Sequence, residues 1–487
     1  MTQEKIDYFV NGHSHTDYSN INKFKDSTNK AKEVMKYVAS LGQKAVAFTD
    51  HEAMGGVNKH LLACEELKEK GQISQDFKVI VGNEIYLVDE DEMSRQMAIK
   101  ERVSFYHFIL LAKDDIGYRQ LKELSTRAWM RMFVWRRIER KPTFYTDIEE
   151  IVGSNPGHLI ATSSCLGGYV AKHILSEEYD KVNDFISWCQ DVFGKENFYL
   201  EMQPHLRKYD EDDEEIITEQ EIVNTWIRDR GIQSTIATDA HYLKRDQRMI
   251  HSAFLTSDND EDRANARERA DFYETTYHMS SQEIHEHLDY YLGKDFVNEC
   301  IMNTWEIKES IGEYNIHRKQ APMEIPLPNQ EDWYYTDEVF DFLEENEKHF
   351  PNVMKMLDSE NLYDGYLVSL CMKGATDEFL VSREEWFEVW KRVDAEFEEI
   401  LGISKAGGYN MSAYFITMNK FIDIIWNEAN AILGVSRGSA AGFMINYLLD
   451  IVQINPLKQP VEMPLWRFIE RNKIELPKSH WAYVVNL

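Results

Sequence analysis

The chain has 487 residues, 43% of them hydrophobic, and a formal net charge of −30 at pH 7. This length predicts about three domains, and the charge argues against a general nucleic-acid binder, because neutralising phosphates requires clustered Lys and Arg. No run reaches the roughly 18 apolar residues of a membrane helix, and the amino terminus lacks the apolar core of a signal peptide. Five scattered cysteines without CxxC spacing argue against a disulfide framework, so we expect a cytoplasmic protein without membrane association.

Seven short apolar runs, rich in β-branched and aromatic residues, occur in the first half of the chain. They are DYFVNG, KAVAFTD, KVIVGNEIYL, FYHFILLAK, HLIATSSC, NFYLEMQ and STIATDAHY. Helix-like stretches with apolar residues at helical spacing separate most of them. The alternation predicts the α/β class and a parallel sheet, and seven such units predict a closed or nearly closed βα barrel over residues 1–245.

A basic segment, TRAWMRMFVWRRIERKP, lies within this region at residues 126–142. Its cations interleave with aromatic rings, and the candidate DNA contacts are Arg127, Arg131, Arg136 and Arg137. Bases can stack on such rings while the cations meet phosphates. An amphipathic helix with solvated arginines explains the pattern equally well, so both interpretations stay open.

The composition and the residue pattern change after residue 245. Residues 246–335 are charged and mostly helical by pattern, with a proline-marked break at KQAPMEIPLPNQEDW, and we interpret them as a connecting region. Residues 336–487 combine amphipathic helices, apolar runs and the small-residue loop RGSAAG, and we interpret them as a third domain.

The stretch GHSHTDYSN follows the first apolar run and places His13 and His15 at alternate positions. Alternate residues of a strand point to the same face, so the two imidazoles can converge on one ion. Other candidate ligands lie within or just beyond the other apolar runs, and Asp26 is close enough to the first run to join them. The further candidates are His51, Glu84, His107, Cys165, Asp239 and His241.

Such residues gather in one cleft if the strands form a βα barrel, because the carboxyl-terminal strand ends open onto one face. Each one alone is more often a packing or surface residue, and the joint placement is what indicates a site. Imidazole, thiolate and carboxylate together suit zinc, manganese or iron rather than magnesium or calcium. The set is too large for one tetrahedral ion, so we expect two or three divalent ions and phosphoester hydrolysis.

These strand-end motifs resemble the PHP (polymerase and histidinol phosphatase) domain. The segments LLAKDDIGYRQLKELS, SSCLGGYVA and FYLEMQ are similar to the PHP domain of the bacterial DNA polymerase III alpha subunit, the C-family replicative polymerase. The resemblance implies a distorted seven-stranded barrel and a metal-dependent 3′-to-5′ exonuclease with a proofreading role. It also implies nine metal ligands, and Asp17 is the alternative to Asp26 for one of these ligand positions. Five of the nine are implied to act directly in catalysis. The nine are His13, His15, Asp26, His51, Glu84, His107, Cys165, Asp239 and His241; the five are His13, His15, Glu84, Asp239 and His241.

The later segment from GYNMSAYF to INPL resembles part of the palm of the same polymerases, including the RGSAAG loop. The resemblance implies that residues 336–487 form an incomplete α/β palm domain. A loop of small residues lets backbone N–H groups approach phosphates, and arginine adds charge-assisted hydrogen bonds. The resemblance therefore implies that Arg437, Gly438 and Ser439 contact the triphosphate of an incoming nucleotide. Before this arginine the family has Gly-Pro-Gly, whereas this chain has Gly434, Val435 and Ser436.

The end of the chain departs further from the family pattern. After WRFIERNKIELP the family continues into a strand with two aspartates, whereas this chain has the aberrant tail of residues 478–487. Two-metal nucleotidyl transfer needs those carboxylates, so we expect this chain alone not to polymerise DNA. A second polypeptide or a spliced carboxyl-terminal portion is the expected partner, together with DNA primer–template or a single-stranded 3′ end and replisome components.

Three functions therefore remain open at this stage. The first is the exonuclease within the amino-terminal part of a DNA polymerase III alpha-type subunit. The second is a non-catalytic barrel that binds metal for stability in a split or interrupted polymerase. The third is a PHP phosphoesterase for small phosphomonoesters, which the polymerase-like second half disfavours.

Overall fold

The computed structural model describes residues 6–20, 25–101, 103–131, 133–135, 138–257, 272–314, 321–435 and 438–471. The chain divides into two compact units, Met1–His317 and Arg318–Leu487, which are called unit 1 and unit 2 below. The boundary between them falls inside the expected connecting region. The division into 1–245, 246–335 and 336–487 stays a prediction about domains.

Unit 1 is built on a curled seven-stranded sheet. Six of the seven apolar runs predicted as strands form strands of this sheet, in the spatial order β1, β2, β3, β7, β8, β11, and a further short strand, β6, pairs with β2. These strands are β1 (Ala45–Phe48), β2 (Lys78–Val88), β3 (Tyr106–Ala112), β6 (Pro142–Phe144), β7 (Leu159–Thr162), β8 (Phe198–Met202) and β11 (Ser234–Ile236). The α/β class and the distorted barrel sheet are thereby confirmed.

The first apolar run, around residues 7–15, is extended and lies between the two edges of this sheet. Asn11 and Ser14 accept backbone hydrogen bonds from Ala47 and Thr49 at the β1 edge, at 3.0 and 2.8 Å. On the other side His13 and His15 exchange backbone hydrogen bonds with Ala240, beyond β11, at 3.2 and 2.9 Å. The run therefore closes the curled sheet by single bridges rather than as a regular strand.

The expectation of a parallel sheet is wrong for β3. This strand pairs antiparallel with both of its neighbours, β2 and β7, whereas β1–β2, β2–β6, β7–β8 and β8–β11 are parallel. The direction is reversed because the chain returns from the end of β2 through one short helix, α3 (Glu90–Ala98), without crossing back over the sheet. A pattern of alternating strands and helices does not encode this choice.

Helices cover the outer face of the sheet. They are α1 (Ala31–Ser40), α2 (Val57–Glu69), α4 (Asp115–Met130), α5 (Tyr145–Ile151), α6 (Tyr169–Leu175), α7 (Tyr179–Phe193), α8 (Glu219–Arg230), α9 (Arg248–Leu255), α10 (Ser281–Leu292) and α11 (Lys294–Ser310). Their apolar faces bury residues such as Leu121, Phe185 and Ile227 against apolar strand residues such as Leu110 and Leu200. Burial of this apolar area is the main force that holds the helices on the sheet.

The basic segment at 126–142 does not continue as an amphipathic helix. Helix α4 ends at Met130, and β4 (Phe133–Trp135) pairs antiparallel with β5 (Ile138–Arg140). A second exposed pair, β9 (Lys208–Tyr209) and β10 (Glu215–Ile216), precedes α8. Both hairpins interrupt the regular alternation of strand and helix.

Unit 2 is helical throughout its described part, residues 321–435 and 438–471, where no strand occurs. Its helices are α12 (Asp337–Glu345), α13 (Pro351–Leu357), α14 (Leu362–Ala375), α15 (Trp386–Gly407), α16 (Ser412–Asp423) and α17 (Met444–Leu448). Its core forms around Trp390, Phe397 and Phe415, which are fully buried. Over the described residues of both units, we find no helix whose length and hydropathy would let it cross a membrane.

Candidate metal centre

His13 and His15 project from the extended segment that closes the sheet, and both side chains are fully buried. Their Nε2 atoms lie 3.2 Å apart, as the alternate positions in the sequence predict. The backbone bridge between Ser14 and Ala240 fixes this segment beside the chain that follows β11. The Nε2 atoms of two imidazoles are thus held close together at the edge of the sheet.

Three further side chains reach the same place from β1, β2 and β3. His51 follows β1, and an isolated bridge pairs its backbone with that of Glu84 in β2. His107 is the second residue of β3, and its Nδ1 lies 2.7 Å from Glu84 Oε1. Because β3 runs antiparallel, its amino-terminal end lies at the edge where β1 and β2 have their carboxyl-terminal ends. The reversed strand therefore still delivers its histidine to the common edge.

The remaining predicted ligands come from loops at this edge. Cys165 follows β7, with its Sγ 3.5 Å from His107 Nδ1. Asp239 and His241 follow β11, and Asp239 Oδ1 lies 3.1 and 3.0 Å from the Nε2 atoms of His13 and His15. Asp26 Oδ1 lies 3.2 Å from His241 Nε2. The structure thus brings all nine predicted positions together.

Asp17, the alternative to Asp26, lies elsewhere. Its carboxylate pairs with Lys30 and is 37% exposed, whereas the Asp26 side chain is 2% exposed. Ser27 holds the loop of Asp26 in place, because its hydroxyl donates to the backbone oxygens of His15 and His241 at 2.9 Å. The geometry therefore favours Asp26 as the member of the cluster.

Within the cluster, three overlapping groups of ligand atoms lie close enough to hold an ion. In each group the candidate ligand atoms are all within 4.8 Å of one another. Glu84 and two of the histidines belong to more than one group, so neighbouring ions would share ligands. The groups are His15, Asp26, His51 and His241; His13, His15 and Glu84; and His51, Glu84 and His107.

The donor atoms of this cluster fit divalent cations. Asp26 Oδ2, Glu84 Oε2 and Asp239 Oδ1 are buried, and none of the described residues donates a hydrogen bond of normal geometry to them. Glu84 Oε2 nevertheless lies 2.8 to 3.5 Å from nitrogens of His13, His15 and His51. Lone pairs that converge without shared protons are what a metal ion requires, whereas buried carboxylates without partners are otherwise costly.

The pKa values of these groups reflect the same crowding. Burial opposes charge on the His15 ring, but the Asp239 and Glu84 carboxylates outweigh it and raise the pKa of His15 to about 10. Burial likewise opposes charge on Glu84 and Asp239, yet the neighbouring imidazoles hold the pKa of both carboxyls well below the ordinary range. The carboxylates are therefore ionised, and a bound divalent ion would replace protons on the imidazoles.

Backbone conformation around the cluster is unusual. Glu52 next to His51, Ser164 next to Cys165, and Asp239 itself have positive φ angles of 52°, 62° and 44°. Non-glycine residues adopt this left-handed region only where the surrounding structure enforces it. The three loops are therefore held in shapes that aim their side chains at the common edge.

Glu201 is a residue of this site that the sequence interpretation missed. It lies in β8, whose five residues are all buried, and its Oε1 accepts a hydrogen bond from His13 Nδ1 at 2.8 Å. Thr162 and Gln203 donate to the same carboxylate at 2.5 and 3.0 Å. A carboxylate on one ring nitrogen fixes the tautomer and turns the other nitrogen, here His13 Nε2, toward the metal. The only signal in the sequence was an acidic residue inside the apolar run NFYLEMQ.

Asp50 has a comparable role for His15 and was also missed. His15 Nδ1 donates to Ser19 Oγ at 3.0 Å, and Ser19 Oγ donates to Asp50 Oδ1 at 2.9 Å. Asp50 also accepts from the backbone N–H and hydroxyl of Thr16, at 2.6 and 2.9 Å. This relay orients the second histidine through one intervening hydroxyl.

The candidate DNA-binding arginines are not all available for phosphates. Arg127 pairs with Glu150 at 2.7 Å and with Glu123 at 3.1 Å, and Arg131 pairs with the carboxylate of Asp147. These two guanidinium groups connect α4 to α5 within the fold. Arg136 and Arg137 lie outside the described residues.

In unit 2, the predicted nucleotide loop forms a 3-10 turn at Gly438–Gly442, so Gly438 and Ser439 are described and Arg437 is not. Arg392 donates to the carbonyl oxygen of Gly442 at 2.6 Å. Glu396 accepts from the backbone N–H groups of Met444 and Ile445, at 2.6 and 2.9 Å. The buried pair of Arg392 and Glu396 on α15 thus anchors the carboxyl-terminal end of the loop. No pattern in the sequence indicated that α15 contacts this loop.

Two regions of the chain match known protein families. Residues 11–205 match the PHP domain, and residues 365–478 match the family described as the bacterial DNA polymerase III alpha NTPase domain. The chain therefore carries a PHP domain, followed by a region similar to the bacterial DNA polymerase III alpha NTPase domain. Seven of the nine candidate ligand positions lie within the residues that match the PHP domain, and Asp239 and His241 lie beyond them.

Relatives of this PHP-domain chain are similar over nearly its whole length. It is 36% identical over 485 residues to the probable DNA polymerase YorL of Bacillus subtilis, and equally to the DNA-directed DNA polymerase of Bacillus phage SPbeta. Each alignment covers 96% of this chain and 36% of the relative. It is 26% identical over 475 residues to the DNA polymerase III subunit alpha of Borreliella burgdorferi, covering 96% of this chain and 34% of the relative. The chain therefore spans about a third of the length of these relatives.

Proposed function

We propose that unit 1 is a metal-dependent phosphodiesterase that removes nucleotides from the 3′ end of single-stranded DNA. The observation that carries the proposal is the convergence of nine side chains on one cluster: seven form overlapping ligand groups, and Asp239 and Cys165 contact members of these groups. Two or three zinc, manganese or iron ions suit this mixture of imidazole, carboxylate and thiolate. The residues proposed to act directly in catalysis are His13, His15, Glu84, Asp239 and His241, and Glu84 and Asp239 each contact both His13 and His15.

The protein's own residues have separable roles in this chemistry. Ions held here would supply a polarised phosphoryl oxygen and a water of lowered pKa. Glu84 and Asp239 each contact several imidazoles, so they set the spacing between the positions that ions would occupy. Glu201 and Asp50 hold His13 and His15 in the orientations that those positions need. Burial of the cluster at every member except His107 limits the access of bulk water to the ligands.

We further propose that the chain serves in DNA replication, as part of a DNA polymerase of the DNA polymerase III alpha type. The relatives named above are DNA polymerases, and this supports DNA primer–template or a single-stranded 3′ end as the substrate. Removal of a mismatched 3′ end is the task that such a phosphodiesterase would have beside a polymerase. A second polypeptide and replisome components are the partners that this proposal includes.

The test uses the full chain loaded with manganese or zinc and a 5′-labelled single-stranded oligonucleotide. We expect products that shorten stepwise from the 3′ end, and we expect His13→Ala to slow this by a factor on the order of 100 or more, because one candidate metal ligand is lost. His349→Ala is the matched control, since His349 is exposed in unit 2. Equal degradation by His13→Ala and the natural sequence would refute the proposal.

The same samples separate the catalytic proposal from the structural alternative. If a chelator lowers the melting temperature while no metal restores degradation, the cluster stabilises the barrel without catalysis. If p-nitrophenyl phosphate is hydrolysed and the oligonucleotide is not, the site acts on small phosphomonoesters. Stepwise shortening that needs added metal supports the exonuclease.

A further inference from the structure

A cavity of about 450 Å³ lies in unit 1 beside the candidate metal centre. His107 belongs to its wall and is also a member of the ligand group with His51 and Glu84. The His107 side chain is 25% exposed, whereas the other side chains of that group are almost completely buried. The cavity therefore meets the metal centre at the one histidine of the group that solvent reaches.

Aromatic rings form one side of this cavity. Phe105 and Phe133 both line it, and their ring centroids lie 5.8 Å apart at an angle of 50°. Both rings are only partly buried and pack on a small apolar cluster that includes Val103 and Phe144. A flat, uncharged ligand such as a nucleobase can stack on rings of this kind, and every base has a suitable face.

Cationic groups line the same cavity. Arg140 is part of the wall, with its guanidinium 4.6 Å from the centroid of the Tyr86 ring. Lys172, on α6, is exposed at the cavity and makes no ion pair among the described residues. Lys172 differs in this from Arg127 and Arg131, which are held by carboxylates. An anionic phosphate is the natural partner of cations placed beside aromatic rings.

Tyr86 connects the cavity to the metal centre. Its ring lines the cavity, stacks on His51 at 5.7 Å and 15°, and meets His107 edge-on at 4.9 Å. A ligand that rests against Tyr86 and His107 therefore has its nearest atoms next to two candidate metal ligands. The base-binding and phosphate-binding features lie on one path that ends at the cluster.

We propose that this cavity binds the 3′-terminal nucleotide of single-stranded DNA, with the base on Phe105 and Phe133 and the phosphate near Arg140 and Lys172. This assignment rests on the proposed function and names the substrate unit that the site selects. Small-ligand pockets have volumes of about 300 to 1,000 Å³, and one nucleotide suits 450 Å³, whereas a base pair with both backbones is about twice as large. The cavity therefore accepts a terminal nucleotide only after it has left the duplex, which favours mismatched ends.

Binding of dAMP to the full, manganese-loaded chain tests the assignment without turnover. We expect calorimetry to detect binding, and we expect Phe105→Ala and Lys172→Glu each to weaken it on the order of 10-fold. Lys172 is exposed, so its substitution leaves the fold intact even if Phe105→Ala disturbs the apolar cluster. Matched controls are Phe379→Ala, at a side chain that is 99% exposed in unit 2, and Lys36→Glu, at an exposed lysine outside the cavity wall.

Hydrolysis measured beside binding separates this inference from the proposed function. If bis(p-nitrophenyl) phosphate and the oligonucleotide are both hydrolysed, the two cavity variants should raise KM for the oligonucleotide and leave that for the small diester unchanged. Unchanged dAMP binding in both variants, or no binding by the natural sequence, overturns the cavity assignment while the phosphodiesterase stands. Absence of all hydrolysis overturns the phosphodiesterase, and the dAMP measurement still decides the cavity.

Discussion

Glu201 shows at the scale of one residue how the site depends on groups that never meet a metal. Its carboxylate lies in a fully buried strand and is satisfied by His13, Thr162 and Gln203. A buried carboxylate without such partners would cost several kcal/mol, so the three donors are what allow it to be there. Its function is to hold His13 Nε2 toward the cluster.

Replacing Glu201 by Gln tests this orienting role. The amide keeps the size of the side chain but presents a weaker acceptor to His13 Nδ1, so the ring is less firmly oriented and less basic. We expect metal affinity, measured by competition with a chelator, to fall about 10- to 100-fold. Glu211→Gln, in the exposed hairpin loop, is the control and should change nothing. An unchanged affinity in Glu201→Gln would show that the contact is only structural.

Eight of the nine candidate ligand positions could be predicted from sequence because each is a polar residue in or just after an apolar run, whereas Asp26 lies farther along the chain. Glu201 and Asp50 satisfy the same description, yet they act through another side chain, and no pattern in one sequence distinguishes the two roles. The choice between Asp26 and Asp17 likewise needed the fold. It depends on hydrogen bonds from Ser27 to segments more than 200 residues apart along the chain.

At the scale of elements, the positions of the strands were predictable and the direction of β3 was not. Apolar runs identify buried strands, but a strand buried on both faces reads the same in either direction. His107 reaches the cluster only because β3 is reversed and presents its amino-terminal end there. For the first apolar run the predicted strand itself was wrong. This run joins the sheet through single bridges at Ser14 and not through a continuous ladder of hydrogen bonds.

Gly168 couples β3 to the loop that carries Cys165. Its backbone bridges to His107, and a Cβ at this position would lie 2.2 Å from the carbonyl oxygen of Ser163. Gly168→Ala should therefore force the loop away from His107 and lower the free energy of unfolding by about 1 to 3 kcal/mol. Urea denaturation measures this, with Gly55→Ala as control, because its Cβ would make an ordinary contact at 3.7 Å. Equal stability of Gly168→Ala and the natural sequence would contradict the close packing.

Helix α15 carries a pH-sensitive contact in unit 2. Burial raises the pKa of the Glu396 carboxyl to about 7 from an ordinary value of 4.5, although the Ile445 N–H and Arg392 act in the opposite direction. Between these values the folded state binds a proton more readily than the unfolded state. The contribution of Glu396 protonation to the stability of the folded state is therefore fully present below about pH 4.5 and is lost as the pH rises through about 7.

Glu396→Gln removes this titration. Between about pH 5 and about pH 8, the free energy of unfolding of unit 2 should fall less in the variant than in the natural sequence, by an amount on the order of 1 to 3 kcal/mol. Denaturation of the full chain at both pH values, followed by the fluorescence of buried Trp390, measures the difference. Glu388→Gln, at an exposed position of the same helix, should keep the natural pH dependence. The same pH dependence in Glu396→Gln as in the natural sequence would show that this carboxyl does not titrate in that range.

At the scale of the whole molecule, a chain with a net charge of −30 is proposed to act on a polyanion. Divalent ions at the cluster and the cations of the adjoining cavity supply the local positive charge that the overall composition lacks. The buried carboxylates of Asp26, Glu84 and Asp239 have no other neutralising cation than the surrounding imidazoles among the described residues. The proposed chemistry therefore depends on metal at this cluster.

Metal content of the purified full chain, measured by mass spectrometry after loading with manganese or zinc and removal of free ions, tests this claim most directly. We expect two or three ions per chain for the natural sequence and for His349→Ala, and at least one ion fewer for His13→Ala. Less than one ion per chain in the natural sequence, or the same content in His13→Ala, would contradict it.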